Sequence, residues 1–249
     1  MQKKRWVSQV VVFVGIIAIG AFGGFLISRF LNWGTVEFRN TFIARQTVTQ
    51  YLHSHSSRKL QIGAGGNNLR EWLNTDIEPR ADQVYMDAAK PFPVPDGSFS
   101  YIFSEHVIEH LTRDDGVGML KECYRVLGSG GKIRIATPNL LRYVQLFREE
   151  KTPEMRRYLE GKIDWHGWPN TREPECLILN YQMRSFGHQF LYDPATLRDG
   201  LALAGFQMIT EFSPGESDDT ALRGIEARHN ARIRDLNDYE TMVFQAVRP

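Results

Sequence analysis

The apolar pattern changes character along the chain. From Val10 to Ile27 no side chain is polar. With its flanks, this run is long enough to cross roughly 30 Å of hydrocarbon as one helix. Lys3, Lys4 and Arg5 precede it, and Trp6 and Trp33 bracket it as interfacial aromatics do. The pattern predicts a single-pass N-terminal anchor over residues 1–33. A cleaved signal peptide is the alternative, but the run is long for one and no A-x-A-like site follows. Basic residues lie on both flanks, with Arg29, Arg39 and Arg45 after the run, so charge does not set the orientation. Residues 34–57 read as a polar juxtamembrane linker, with Phe38, Phe42, Ile43 and Leu52 as a partial apolar face.

Beyond residue 58 short apolar runs alternate with helical patterns. Leu60–Ile62, Leu73–Asp76, Val84–Met86, Ser98–Phe103 and Lys132–Ala136 read as strands, and Phe206–Phe212 and Tyr239–Val247 as two closing strands. Helices are expected from His106, over Asp114–Leu127 with Thr112 or Asp114 as cap, over Leu140–Glu149 and over Pro194–Ala204. Gly128–Gly131 is expected to stop the second of these. The first crossover is short, about one turn near Leu69–Trp72. Alternation of this kind implies an α/β fold, a Rossmann-like, doubly wound, mostly parallel seven-stranded sheet in a domain spanning residues 58–249.

Composition narrows the function classes. The chain has 249 residues and a formal net charge of +1, so no global field draws in nucleic acid, and none is expected as a partner. The arginines at 223, 228, 232 and 234 read as a solvated helical face without interleaved aromatics. Two cysteines, Cys123 and Cys176, stand outside any CxxC, which argues against a disulfide framework or a cysteine zinc site. Cys123 shares helical spacing with Leu120 and Leu127 and reads as core.

Polar residues collect where strands end, and ligands of open α/β sheets bind there. Gly63 and Gly65 follow the first strand, Asp76 ends the second, Asp87 follows the third, and Glu105 and His106 follow the fourth. The segments LQIGAGGN (Leu60–Asn67), LNTDI (Leu73–Ile77), Tyr85–Leu111 and Leu120–Leu140 carry Asp, PFP, PDGSF, EHVIEHL, RVL and GGK in that order. In this they resemble the class I S-adenosylmethionine-dependent methyltransferases, in particular predicted ones associated with glycan biosynthesis. GHQFLYD (Gly187–Asp193) and AGF (Ala204–Phe206) extend the likeness.

The resemblance implies a methyltransferase using S-adenosyl-L-methionine; the Val10–Ile27 run makes it membrane-anchored, and the cytoplasmic cofactor pool places its catalytic domain on that side. The anchor points to a small or lipid-linked acceptor, such as a glycan intermediate, met at the membrane. Gly63, Ala64 and Gly65 would touch the methionine part of the cofactor, Asp76 the ribose, Asp87 and Ala88 the adenine. Glu105 and His106 would border the sulfonium. Gln61 stands where many relatives carry an acid, so it brings no charge to the cofactor's ammonium. His106, His110 and His188 are the candidate proton acceptors, each with a packing or turn role as its alternative. The aromatic segment Ile163–Tyr192 is expected to cover the acceptor.

Two other functions fit parts of the pattern. Gln61 suits a non-catalytic module that keeps the fold. His106-Val-Ile-Glu109-His110 matches the H-x-x-E-H zinc-peptidase motif, but it requires two histidines on one helix and a third ligand. No downstream acid supplies that ligand, and no metal is expected.

Overall fold

The computed structural model describes residues 43–168, 172–226 and 234–249. The expected anchor, and the linker up to residue 42, lie outside them. Among the described residues no helix is long and apolar enough to cross a membrane.

Seven strands form one sheet in the order β3-β2-β1-β4-β5-β7-β6. They are β1 (Lys59–Ile62), β2 (Leu73–Asp76), β3 (Val84–Tyr85), β4 (Phe99–Glu105), β5 (Leu127–Pro138), β6 (Gln207–Phe212) and β7 (Thr241–Val247). β1 to β5 run parallel, and β7 inserts antiparallel between β5 and β6. The seven-stranded, mostly parallel Rossmann-like sheet expected from the sequence is therefore present. Its order reverses between β1 and β4, and the crevice outside their C-terminal ends is the binding position of such sheets.

The helices are α1 (residues 43–54), α2 (Arg113–Val126), α3 (Leu140–Gln145), α4 (Pro153–His166), α5 (Pro174–Arg184), α6 (Pro194–Leu203) and α7 (Arg234–Glu240). Side-chain caps start several of them. Thr112 accepts from the Asp115 amide at 3.2 Å, Thr152 from Met155 at 3.2 Å and Asp193 from Thr196 at 2.7 Å.

Several elements differ from the sequence pattern. The helix expected from His106 is a single 3-10 turn, Ile108–His110. Gly128–Gly131 does not end α2: the chain is already extended at Leu127, and the glycines lie within β5. The pattern does not predict α4 and α5; Arg234, read as part of a helical face, opens α7, and Tyr239 belongs to α7 rather than to the last strand. Arg223 is not on a helical face; its guanidinium binds the Ser217 carbonyl at 2.8 Å. Residues 43–54, read as linker, form α1. Arg45 onwards belongs to the compact unit, where Val48 and Tyr51 are buried. The Tyr51 hydroxyl accepts from the Lys59 amide at 3.0 Å and lies 2.9 Å from the Glu71 carbonyl, tying α1 to the start of β1.

The first crossover contains no helix. Two strand side chains hold it instead. Gln61 donates to the Asn67 carbonyl at 2.9 Å and accepts from the Leu69 amide at 3.2 Å. Asn74 accepts from the same amide at 3.0 Å and donates toward the Leu69 and Trp72 carbonyls. The β6–β7 connection closes the sheet face that a longer crossover would cover. Leu222 packs with Trp72 and Phe103. Below it the register row Gln61, Phe103, Arg134, Gln245 runs across four strands. Arg134 is buried against Glu226, Lys132 meets Asp219 at 2.9 Å, and Gln245 donates to Ser217 at 2.7 Å. Buried charge is paired here, as it must be away from water. The opposite face, with Leu60, Ile102, Ile133 and Ile135, is fully buried and mostly apolar, with Thr75, Ser104 and Thr137 as its buried polar members.

Candidate active site

The predicted cofactor residues line one edge of the sheet. Gly63 has φ of 68° and Gly65 of 54°, the left-handed region that favours glycine. At Gly63 the demand is also steric: a Cβ would lie 2.1 Å from Cγ2 of Val107, just past β4. Valine is stiff at χ1 and cannot swing aside. Gly63→Ala is therefore expected to cost about 2–4 kcal/mol, from left-handed strain and overpacking together. Urea denaturation measures it, and a loss under about 1 kcal/mol would refute the packing argument.

Asp76 closes this loop from the end of β2. Its carboxylate accepts from the Gly65 amide at 2.8 Å and from the Glu78 amide at 2.9 Å. Each carboxylate oxygen keeps a further lone pair for a hydroxyl. Gln83 adds a bond to the Gly65 carbonyl at 2.9 Å. Asp87 accepts from the Ala89 amide at 3.0 Å and pairs with Lys90 at 3.3 Å, beside buried Ala88. Gln61 points into the crossover, so its role here is to hold the loop backbone. Ala64 and Glu105 are buried at the C-terminal ends of β1 and β4.

His106 makes the turn at this edge. Its φ of 51° is unusual for a residue with a side chain. The kink aims Nδ1 at Glu109 Oε1, 3.0 Å away. Glu109 is fully buried, and its other oxygen accepts from the Thr137 hydroxyl at 3.0 Å. Burial disfavours charge on both groups. The hydrogen bond and mutual attraction outweigh it, holding the His106 pKa above the ordinary imidazole value and the Glu109 pKa below that of a free carboxyl. Both shifts favour the imidazolium–carboxylate form of the pair. The H-x-x-E-H reading needs His106 and His110 one turn apart on a helix, and that geometry is absent.

His188 arrives from the α5–α6 connection. The Glu109 carbonyl accepts from the Gln189 amide at 2.8 Å and from the Phe190 amide at 3.2 Å, and Gln189 Nε2 donates to the His110 carbonyl at 2.6 Å. These bonds fasten His188 beside His110, with ring centroids 4.8 Å apart. Nδ1 of His188 lies 2.6 Å from the Gln182 carbonyl, which can only accept. Nδ1 therefore carries the proton, and Nε2 keeps a lone pair when the ring is neutral. Burial pushes the His188 pKa below the ordinary value.

All three histidines line an open cleft of about 800 Å³ that begins at Glu78 and Arg80, next to Asp76. Trp165, His166, Tyr181 and Phe186 form its aromatic wall, from the segment expected to cover the acceptor. Lys162 and Glu240 pair at 2.8 Å beside it, and Tyr158 donates to Glu240. A larger cleft of about 910 Å³, lined by Asn139, Arg142 and Arg157 among others, holds none of the predicted residues. Sequence reasoning missed Glu240, Lys162 and Thr137; no motif marks them, since each reaches the site from a different element.

The sequence profile of the family described as "Methyltransferase domain" matches residues 60–135, from β1 into β5. That stretch contains every predicted cofactor residue. A probable S-adenosylmethionine-dependent methyltransferase of Mycolicibacterium smegmatis is 37% identical over 65 residues, 26% of this chain and 24% of the relative. The chain therefore matches about a quarter of that relative's length. Among solved structures, a SAM-dependent methyltransferase from Archaeoglobus fulgidus is similar with a TM-score of 0.46 and 19% identity, covering 83% of this chain and 94% of that one. Another from Mesorhizobium loti has a TM-score of 0.44 and 16% identity, covering 77% and 90%.

Proposed function

We propose that this chain, which carries a methyltransferase domain over residues 60–135, moves a methyl group from S-adenosylmethionine to an acceptor held in the histidine-lined cleft. The observation that carries the reading is the order of groups along one sheet edge. The glycine loop follows β1, Asp76 ends β2, Asp87 follows β3 and Glu105 ends β4, at the reversal of strand order. The edge runs directly into the cleft at His106. The loop takes the methionine part, Asp76 the ribose hydroxyls and Asp87 the adenine amine.

The cofactor supplies a methyl carbon already activated by its sulfonium. The protein's part is alignment and handling of one proton. A lone pair of the acceptor oxygen forms the new C–O bond as the C–S bond breaks. That bonding pair returns to sulfur as a neutral thioether, and the acceptor proton goes to His188 Nε2. His106 spends Nδ1 on Glu109, a contact that favours its protonated form, so His188 is the better-placed base.

The acceptor class follows from the wall. Trp165, Tyr181 and Phe186 offer flat apolar faces next to Glu240, Lys162 and Gln182. This mixture suits a hydroxylated acceptor with apolar ring faces, such as a sugar, free or lipid-linked. The apolar run Val10–Ile27 supports membrane attachment and an acceptor met at the bilayer. The cytoplasm, as source of cofactor, supports placing the domain there; a reporter fused after Pro249 that scores as extracytoplasmic overturns that placement.

Calorimetry of the full chain with S-adenosylhomocysteine tests the core of the reading. Saturable binding is expected. Asp87→Ala should weaken it about 10–100-fold, the loss of charge-assisted hydrogen bonds worth about 1.5–3 kcal/mol. Absence of binding at high micromolar cofactor product would sink the proposal. Binding without transfer of labelled methyl to any component of membrane extracts would favour the non-catalytic module.

A further inference from the structure

We propose that Glu109, His110 and His188 hold one divalent transition-metal ion, best fitted by Zn²⁺, whose open positions face the cleft and take hydroxyl oxygen of the acceptor. The three side chains each offer a ligand atom, all within 4.8 Å of one another. Two imidazoles and a carboxylate suit zinc and neighbouring first-row metals, while calcium and magnesium prefer oxygen alone. Three protein ligands leave a fourth position for water or substrate, the pattern of catalytic rather than structural zinc. Atoms bound to one ion at 2.0–2.1 Å lie about 3.3 Å apart in tetrahedral geometry. His188 is held through Nδ1, so the partly buried His110 ring, which has no such anchor, must turn toward Glu109 and His188 to close the difference.

The surroundings look built for this. Metal-bound histidines usually give their other ring nitrogen to a carbonyl or carboxylate, which fixes tautomer and direction. His188 does so through Nδ1 to Gln182. Glu109 is oriented by Thr137 on one oxygen and His106 on the other, and both oxygens retain a lone pair. The bonds from Gln189 and Phe190 to Glu109, and from Gln189 to His110, hold the two ligand-bearing segments together without the ion. The ligand set differs from the H-x-x-E-H reading: His106 drops out as an outer partner, and His188 comes from a remote segment.

The ion site stands independently of methyl transfer; its use on the acceptor rests on that reading. With the ion bound, His188 is a ligand and not a base. Coordination lowers the pKa of the acceptor hydroxyl, and its proton leaves to water.

The test uses the full chain in detergent, without a histidine tag, stripped with chelator. Titration with Zn²⁺, and with Co²⁺ followed by its visible absorption, should show one ion per chain at micromolar or tighter affinity. His110→Ala and His188→Ala should each weaken binding about 100-fold or more, beyond the 10–100-fold that outer partners cost. Thr137→Ala should weaken it about 10-fold. His53→Ala, an exposed histidine on α1 outside the cleft, should bind as wild type. Zinc-edge X-ray absorption of the wild type reads the donors without any variant: two imidazoles with oxygen support the site. Sulfur or all-oxygen donors, no saturable binding, or binding undiminished in both histidine variants overturn it. S-adenosylhomocysteine binding in the same preparations separates the two claims. If it fails while the ion binds, the methyl-transfer reading falls and the metal site stands.

Discussion

Glu109→Ala is expected to cost about 3–5 kcal/mol of stability, the penalty for leaving one half of a buried ion pair unpaired. Glu109 is fully buried and answers two groups at once, His106 Nδ1 and the Thr137 hydroxyl. Alanine removes both partners and opens a cavity under the turn that carries the site. The sign of the pH dependence follows from the two shifts. His106 is raised, so its share is fully present below the ordinary imidazole pKa and is lost as pH rises through the raised value. Glu109 is lowered, so its share is present above the ordinary carboxyl value and is lost as pH falls through the lowered one. The gap between wild type and variant should therefore be widest in mildly acidic solution and shrink toward both extremes. Urea denaturation at several pH values measures it. A pH-independent gap of less than about 1 kcal/mol would mean that the pair is not ionised.

The second large effect concerns chemistry. His188→Ala is expected to lower kcat about 10²–10⁴-fold, the usual contribution of a positioned proton acceptor. Cofactor binding should be retained, because His188 belongs to the cleft wall and not to the glycine-loop edge. Burial lowers the His188 pKa, so the neutral ring prevails at neutral pH. Wild-type activity should fall as pH drops through a value below that of ordinary histidine, and the variant should lack this limb. Added imidazole should restore part of the rate if the ring acts as a base. Zinc content of the same preparation distinguishes loss of a base from loss of a ligand. A kcat close to wild type would remove His188 from the mechanism altogether.

The geometry behind these effects rests on a turn that no periodicity describes. EHVIEHL has helical spacing of apolar residues, and the pattern accordingly predicts a helix from His106. A helix there would set His106, Glu109 and His110 on one face as i, i+3 and i, i+4 neighbours. In the fold the backbone at His106 turns left-handed and the side chain returns to Glu109, because β4 ends in a buried edge where the carboxylate needs a counter-charge. Gln61 shows the same limit. Its place after the first apolar positions suggests contact with cofactor, yet its amide is used on Asn67 and Leu69 because the crossover has no helix to satisfy its own backbone. Asn74 shares that task and carried no signal in the sequence.

The alternation of apolar runs and the strand-end glycines and acids determined a good deal by themselves. They specify a mostly parallel α/β sheet and the edge at which polar groups gather. These follow from local rules: strand period, helix caps and the freedom of glycine. The seven strands lie where short-range patterning places them, within a few residues at their ends. Tertiary structure alone decided that burial and Glu109 shift His106 and His188 in opposite directions, and that Glu109, His110 and His188 meet. It also decided that the β6–β7 connection, with Leu222, Asp219 and Glu226, covers the face left open by the short crossover. Protonation state depends on burial and on partners contributed by distant segments. Those partners are set by long-range packing that no window along the chain contains.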